Sequence, residues 1–431
     1  MSGFQEGVLP VRYLGVPLIS TKLTISDCQP LVDKITSRIK NWTARFLSFA
    51  GRLQLIQAVL LSIQSYWNGI FILPKKIIYR VEQIICRFLW RGVDSDSGGA
   101  KVAWVDIALP LEEGGLGIKR LDVWNTATMG KHIWKLCQPI TSSSWAIWVK
   151  ENLLRGRSFW EISIPQNCSW TWRKLLKLRE YFKPHIRYTI GDGQDTFLWF
   201  DHWLPMGPIH PSMGDRVIYD SGLPRLARVA AIIREGRWTW PSANSPDLIE
   251  LKEATQQFSP PRVHLKDGII WTPSTNGEYS TKSAWDILRV ARNTTSWSKI
   301  VWFPGRIPRA SFFLWLAALK KLGTQDRFCI PNAQCILCQA QQESHDHLFF
   351  NCPVSMQIWN TISSKGDFQV PTLDWTNLLS WLSSNWKGNS LEMKARKLCL
   401  SVTIYYIWRE RNNRLHGNIA ASLEEIITSI L

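Results

Sequence analysis

No stretch of 18 consecutive apolar residues occurs in the 431-residue sequence, so a membrane-spanning helix is not expected. The opening MSGFQEGVLP has no basic segment leading into an apolar one, so no secretory signal is expected either. Acidic residues are scarce: 34 Asp and Glu face 51 Lys and Arg, a net charge of +17 with a pI near 9.6. That imbalance favours a polyanionic partner, most simply nucleic acid. The plain alternative is charge that serves only solubility. Charged residues are still only 20% of the chain and hydrophobic ones 45%. This excludes a disordered basic tail and leaves enough apolar surface for two to four domains.

Other absences narrow the chemistry. There is no Gly-x-Ser-x-Gly elbow and no phosphate-binding Walker loop. Gly114-Gly115-Leu116-Gly117 lacks the spacing of a dinucleotide fingerprint and reads as a turn. Asp94 and Asp96 suggest a calcium loop, but the twelfth position from Asp94 is Val105, not Glu. Asp192 and Asp195 flank the turn of a hairpin predicted over 186–205, where turn chemistry explains them. No small-molecule substrate is evident. The nine cysteines are odd in number and lack paired spacing, which argues against a secreted disulfide framework and for a reducing compartment. Pro74-Lys75-Lys76 is too short for a nuclear signal.

What is present is concentrated near the C-terminal end. Cys335, Cys338, His347 and Cys352 follow the spacing Cys-x2-Cys-x8-His-x4-Cys. A two-residue gap lets a tight turn aim two thiolates at one Zn2+ ion, and Leu348-Phe349-Phe350-Asn351 can pack while its flanking residues bind. A Cys3His set has no open position, so it reads as structural. His345 is a rival ligand and Cys329 a rival thiolate. Chance clustering of small buried cysteines is the alternative. The 25 tryptophans are the other anomaly; most read as core, with a few able to stack on bases.

Periodicity predicts a mixed, mainly α fold with small β hairpins (α+β). Apolar residues from Ile35 to Ile63 alternate by four and three, which predicts two helices within 27–65, broken near 41–48. Arg38, Arg45 and Arg52 recur at seven-residue steps beside that face. They are candidates for phosphate contact, the alternative being a solvated helix face. A third helix is predicted from about Lys75 to Trp90 and a polar loop over 91–100. Residues 121–185 read as helical in pieces. A hairpin is predicted over 186–205, a loop over 206–225, and a second hairpin joining 268–271 to 279–281. Helices follow at 282–292, 308–320 and 391–415.

Several of these stretches, in this order, resemble the C-terminal part of plant LINE-type (non-LTR) retrotransposon reverse transcriptases. Tyr13-Leu14-Gly15-Val16-Pro17-Leu18 is similar to the segment after the polymerase palm. Trp42, then Leu47 through Arg52, Leu73-Pro74-Lys75 and Phe88-Leu89-Trp90 resemble the helical thumb. Gly114–Gly117 with Asn125 resembles the connecting region, and Gly191-Asp192-Gly193 with Phe197, Trp199, Asp201 and Trp203 is similar to a further stretch of that family. Residues 279 to 359 resemble the reverse-transcriptase zinc-binding domain. Its paired cysteines and His-Leu-Phe-Phe-x-Cys run would select Cys335, Cys338, His347 and Cys352 over His345.

The resemblance implies a thumb-like helical region over 1–92, an α+β connection over 93–278, a zinc-binding domain over 279–362 and a C-terminal helical region over 363–431. It implies RNA or an RNA–DNA duplex as partner, gripped by Arg38, Arg45, Arg52, Lys75 and Lys76, and a nuclear location, otherwise cytoplasmic. The family's palm holds two metals on an Asp-Asp pair, and this sequence has no such pair. The expectation is therefore a non-catalytic nucleic-acid-binding fragment or remnant with neither palm, endonuclease nor ribonuclease H domain. The alternatives are a zinc-dependent protein-interaction module and a thumb and zinc part that completes a polymerase supplied in trans.

Overall fold

The computed structural model describes residues 11–19, 21–42, 47–92, 99–242, 245–258, 261, 264–328, 330, 333–417 and 420–431. Helices dominate. Strands among the described residues form three antiparallel pairs: Val11–Tyr13 with Val16–Leu18, Ile186–Thr189 with Gly268–Trp271, and Ile233–Arg234 with Arg237–Trp238. The mainly helical class expected from periodicity is thus observed. The chain folds into two compact units, one of Met1–Leu31, Gln64–Ile78 and Leu121–Ala291, the other of Val32–Ile63, Tyr79–Arg120 and Arg292–Leu431. The units interleave along the chain. Each of the linear segments 1–92, 93–278 and 279–362 therefore contributes to both, because long-range packing, not sequence order, decides which residues share a core.

In the first unit the helix Leu121–Cys137 packs against Trp170–Phe182 and Thr281–Leu288. Gly130 permits this approach: a Cβ there would lie 2.3 Å from the Phe182 ring and 2.5 Å from the Tyr279 hydroxyl. Trp271 fills the space beside them, its ring centre 4.9 Å from Tyr279 and its Nε1 donating to Ser283 Oγ at 2.8 Å. Trp199 and Trp203 are fully buried and donate to the carbonyls of Pro224 and Leu198. Asn125, also buried, donates to the Asn68 and Phe71 carbonyls and accepts from Leu73 N, which fixes the chain ahead of Pro74. In this unit the tryptophan excess is mostly core, and Trp160, Trp199, Trp203, Trp240 and Trp271 each pair apolar bulk with a donated N–H.

Three local expectations fail in this unit. The strand Ile186–Thr189 pairs with Gly268–Trp271, not with 196–200, and Phe197 makes only an isolated bridge to Arg228. The reason is Asp267. Its carboxylate accepts from the backbone N–H of Gly191, Gly193, Asp195 and Thr196 at 2.8–3.1 Å and from the Thr196 hydroxyl at 2.8 Å. The loop wraps around that acid instead of turning back as a hairpin. The predicted second hairpin loses its return strand because Ser280 caps the helix Thr281–Leu288, accepting from Ser283 N at 3.0 Å. The predicted loop 206–225 contains the helix Ile209–Ser221, kinked at Gly214. Pro208 and Pro211 sit at its start, where a missing N–H costs little.

In the second unit the helix Gln29–Asn41 stops and Phe49–Leu55 starts behind Ser48, whose Oγ accepts from Gly51 N at 3.2 Å. The two helices end and begin on either side of the predicted break; Arg45 lies outside the described residues, as do Asp94, Asp96 and Cys329. The helix Lys75–Arg91 also matches expectation. Gly115 makes the Gly114–Gly117 turn possible, since a Cβ there would lie 2.3 Å from the Leu109 carbonyl oxygen. The turn offers the Gly114 carbonyl to Trp315 Nε1 at 2.8 Å, tying it to the helix Pro308–Ala318. That helix packs along Leu391–Leu415, which spans the residues read as its range from sequence.

Candidate metal centre and basic surface

The four candidate ligands converge within the second unit. Cys335 Sγ lies 3.9 Å from Cys352 Sγ, Cys338 Sγ lies 3.4 Å from His347 Nε2, and all four ligand atoms fall within 4.8 Å of one another. Zinc bonded tetrahedrally at about 2.3 Å to sulfur and about 2.0 Å to nitrogen separates two sulfurs by about 3.8 Å and sulfur from nitrogen by about 3.5 Å. The donor set therefore fits one tetrahedral metal ion in both chemistry and size.

Local structure explains the convergence. Cys335 N donates to the Gln341 carbonyl at 2.7 Å and Gln339 N to the Cys335 carbonyl at 2.8 Å, while Gln334 and Gln342 close the loop with a bridge. Cys335 and Cys338 are thereby held on one tight turn. His347 and Cys352 are joined by a single π-turn, with Cys352 N donating to the His347 carbonyl at 2.7 Å. The five-residue separation of the two ligands is that turn's hydrogen-bond span. Between them Leu348, Phe349 and Phe350 are buried. Phe350 stacks on Trp375 and Trp359, and Trp359 Nε1 holds the Phe349 carbonyl at 2.8 Å.

The thiols are poised unequally. Cys352 is pulled down to about 5, first by the hydrogen bond shared with Cys335, then by the Ser355 and Val354 N–H groups opening the helix Pro353–Gly366. The same shared bond, with burial, pushes Cys335 up. One thiolate forms readily and resists a second, and a bound cation removes that resistance by holding both.

Two arginines of the helix Leu391–Leu415 grip the knuckle. Buried Arg411 makes two bonds to buried Glu343, Nη2 to Oε1 at 2.6 Å and Nε to Oε2 at 3.1 Å. Glu343 Oε1 also accepts from Gln325 N at 2.9 Å. Arg414 donates to the Leu337 carbonyl, between the two knuckle cysteines, at 3.2 Å. Sequence reading missed this clamp, because its partners lie 68 and 77 residues apart. The rival His345 does not join the ligands. Its ring is edge-on to Phe349 and Trp375, and burial pushes it down to about 4.

The candidate phosphate contacts lie on three different helices. Arg38 is exposed on Gln29–Asn41, and Arg52 is half-buried on the separate helix Phe49–Leu55. Arg52 lies over the Phe49 ring at 5.6 Å and donates to the Leu89 carbonyl. Lys75 and Lys76 are exposed in the first turn of Lys75–Arg91. Around Lys75 the first unit holds a basic cluster not recognised from sequence. Lys22 and Lys174 lie 5.2 and 4.4 Å from the Trp170 ring centre. The Lys174 ammonium is held below its usual range by burial and then by Lys177, Lys22 and Lys75.

Residues 279–359 match the family model described as zinc-binding in reverse transcriptase. The chain is 26% identical to a protein of Arabidopsis thaliana named for ribonuclease H, over 93% of this chain and 66% of that relative. It is 28% identical to an uncharacterized mitochondrial protein of the same plant, over 35% of this chain and the whole of that relative. The chain thus spans just under two thirds of the length of the longer relative. These matches bear out the resemblance to the C-terminal region of a plant retrotransposon reverse transcriptase. Among the described residues, no helix is long and apolar enough to cross a membrane.

Proposed function

We propose that this chain is a nucleic-acid-binding part of a retrotransposon reverse transcriptase, with zinc as a structural ion on Cys335, Cys338, His347 and Cys352 and no polymerase chemistry of its own. The observation that carries the nucleic-acid reading is the lysine cluster around Trp170. Burial first, and then repulsion from Lys177, Lys22 and Lys75, holds the Lys174 ammonium below its usual range. That repulsion is relieved when a polyanion binds. The +17 net charge and the reverse-transcriptase zinc match support the same reading. Arg38, Arg52, Lys75 and Lys76 would add phosphate contacts, and RNA or an RNA–DNA duplex would be the partner, in the nucleus. The absence of an Asp-Asp pair from the sequence supports a non-catalytic role. The zinc ion would fix the knuckle geometry and contribute folding energy.

Fluorescence anisotropy with labelled RNA and RNA–DNA duplex across a salt series tests the reading. Saturable binding whose logarithm falls linearly with log salt is expected, with a slope reduced by about one for each phosphate-contacting lysine changed to Gln. Lys75→Gln and Lys174→Gln are the informative variants. Weak, non-saturating binding indifferent to salt would refute it.

A further inference from the structure

Away from the metal ligands, the second unit carries a groove of about 340 Å³, within the size range of small-ligand sites. Its floor is aromatic: half-buried Phe313 and Tyr405 sit with ring centres 5.4 Å apart, and Trp408 lies beside them. Its rim is cationic. Exposed Arg309 and Arg409 face it with half-buried Arg52, and among the described residues no carboxylate lines it. Asn413 adds an amide able both to donate and to accept. Aromatic faces, guanidinium groups and an amide with no acid among them suit a ligand that has a flat ring and a negative charge close together.

We propose that this groove holds an unpaired nucleotide of a single-stranded nucleic acid, its base stacked on Tyr405 and Phe313 and its phosphates against Arg309 and Arg409. A duplex keeps its bases stacked inside and cannot fill an aromatic groove, whereas a single strand can. The helix Leu391–Leu415 contributes Tyr405, Trp408 and Arg409 here and sends Arg411 and Arg414 to the metal knuckle. The metal centre thus has a structural link to the groove. The proposal rests on the nucleic-acid reading above and names a strand type and site within it.

The test compares binding of labelled oligo(U), oligo(dT), an abasic strand of equal length and an RNA–DNA duplex to the full chain. Base stacking of this kind is worth about 1–3 kcal/mol per base, about 5- to 150-fold in affinity. Tyr405→Ala is expected to weaken oligo(U) or oligo(dT) binding by about that factor and leave duplex and abasic binding unchanged. Tyr405→Phe, which keeps the ring, should retain parental affinity and so separates stacking from misfolding. Exposed Arg309→Gln and Arg409→Gln should lower the salt slope for single strands. Parental binding that is equal for abasic and base-bearing strands, or single-strand affinity unmoved by Tyr405→Ala, overturns the groove and leaves the general reading standing. A parent that binds none of the four ligands overturns both. An acidic peptide that binds in the groove and displaces nothing else would reassign it to a protein partner.

Discussion

Seven buried tryptophans, at 134, 160, 172, 199, 203, 271 and 285, share one apolar cluster in the first unit. From Ala333 to His347 in the second unit, by contrast, the only buried apolar residues are Cys335 and Leu337. The buried side chains there are otherwise Glu343, His345 and His347. The first region can order itself by removing apolar area from water. The second has too little apolar area to do so, and its order depends on ligand convergence and a buried ion pair. One chain thus contains a region that apolar burial can hold and another whose order the proposed zinc ion would complete.

Metal removal should break this comparison most widely. Structural zinc contributes on the order of 10 kcal/mol to small zinc domains. Cys338→Ser, or a strong chelator, should release about one equivalent of zinc and accelerate amide exchange over 333–366. The helix Leu121–Cys137 should keep its protection. Exchange that rises equally in both regions, or unchanged metal content, would show that the knuckle does not depend on the ion.

The ion pair comes next. Arg411→Met strands Glu343 without its partner inside the protein, which costs about 3–5 kcal/mol. Urea unfolding should report that loss, together with weaker zinc retention. Arg411→Met combined with Glu343→Leu should recover part of it, since the stranded charge is gone. A single variant as stable as the parent would mean the knuckle is held by the metal alone.

Sequence displayed the second region better than the first, although it is the smaller. Cysteine and histidine spacing is a local signal, and the four ligands could be read from a stretch that folds on itself. The helices Lys75–Arg91 and Leu391–Leu415 were legible because a 3.6-residue period survives in any context. What stayed hidden is long-range. Asp267 organises residues more than seventy positions earlier, and Ile186–Thr189 finds its partner strand across a similar distance. Neither leaves a periodic trace. The helix Ile209–Ser221 was masked by prolines that signal a loop but tolerate a helix's first turn. The basic cluster at Trp170 was invisible because Lys22, Lys75 and Lys174 come from three distant segments.

The smallest effect belongs to Asp201, a buried carboxyl whose environment raises it inside the first unit. Asp201 accepts from Ser158 Oγ at 3.0 Å and from Phe197 N at 2.8 Å, which favours its charged form. Burial outweighs both and pushes its carboxyl up to about 7. The folded protein then holds a proton that the unfolded chain releases near pH 4. Its contribution to stability is therefore full below about pH 4 and is lost as pH rises through 7, at up to about 1.4 kcal/mol for each pH unit. Urea unfolding at pH 5 and pH 7.5 should show the parent losing stability on going to the higher pH. Asp201→Asn, neutral throughout, should lose less, its amide oxygen accepting from Phe197 N and its amide nitrogen donating to Ser158 Oγ. Groups elsewhere act alike in both proteins and cancel. An identical pH dependence would place the proton elsewhere and leave the tryptophan-rich unit held by apolar burial alone.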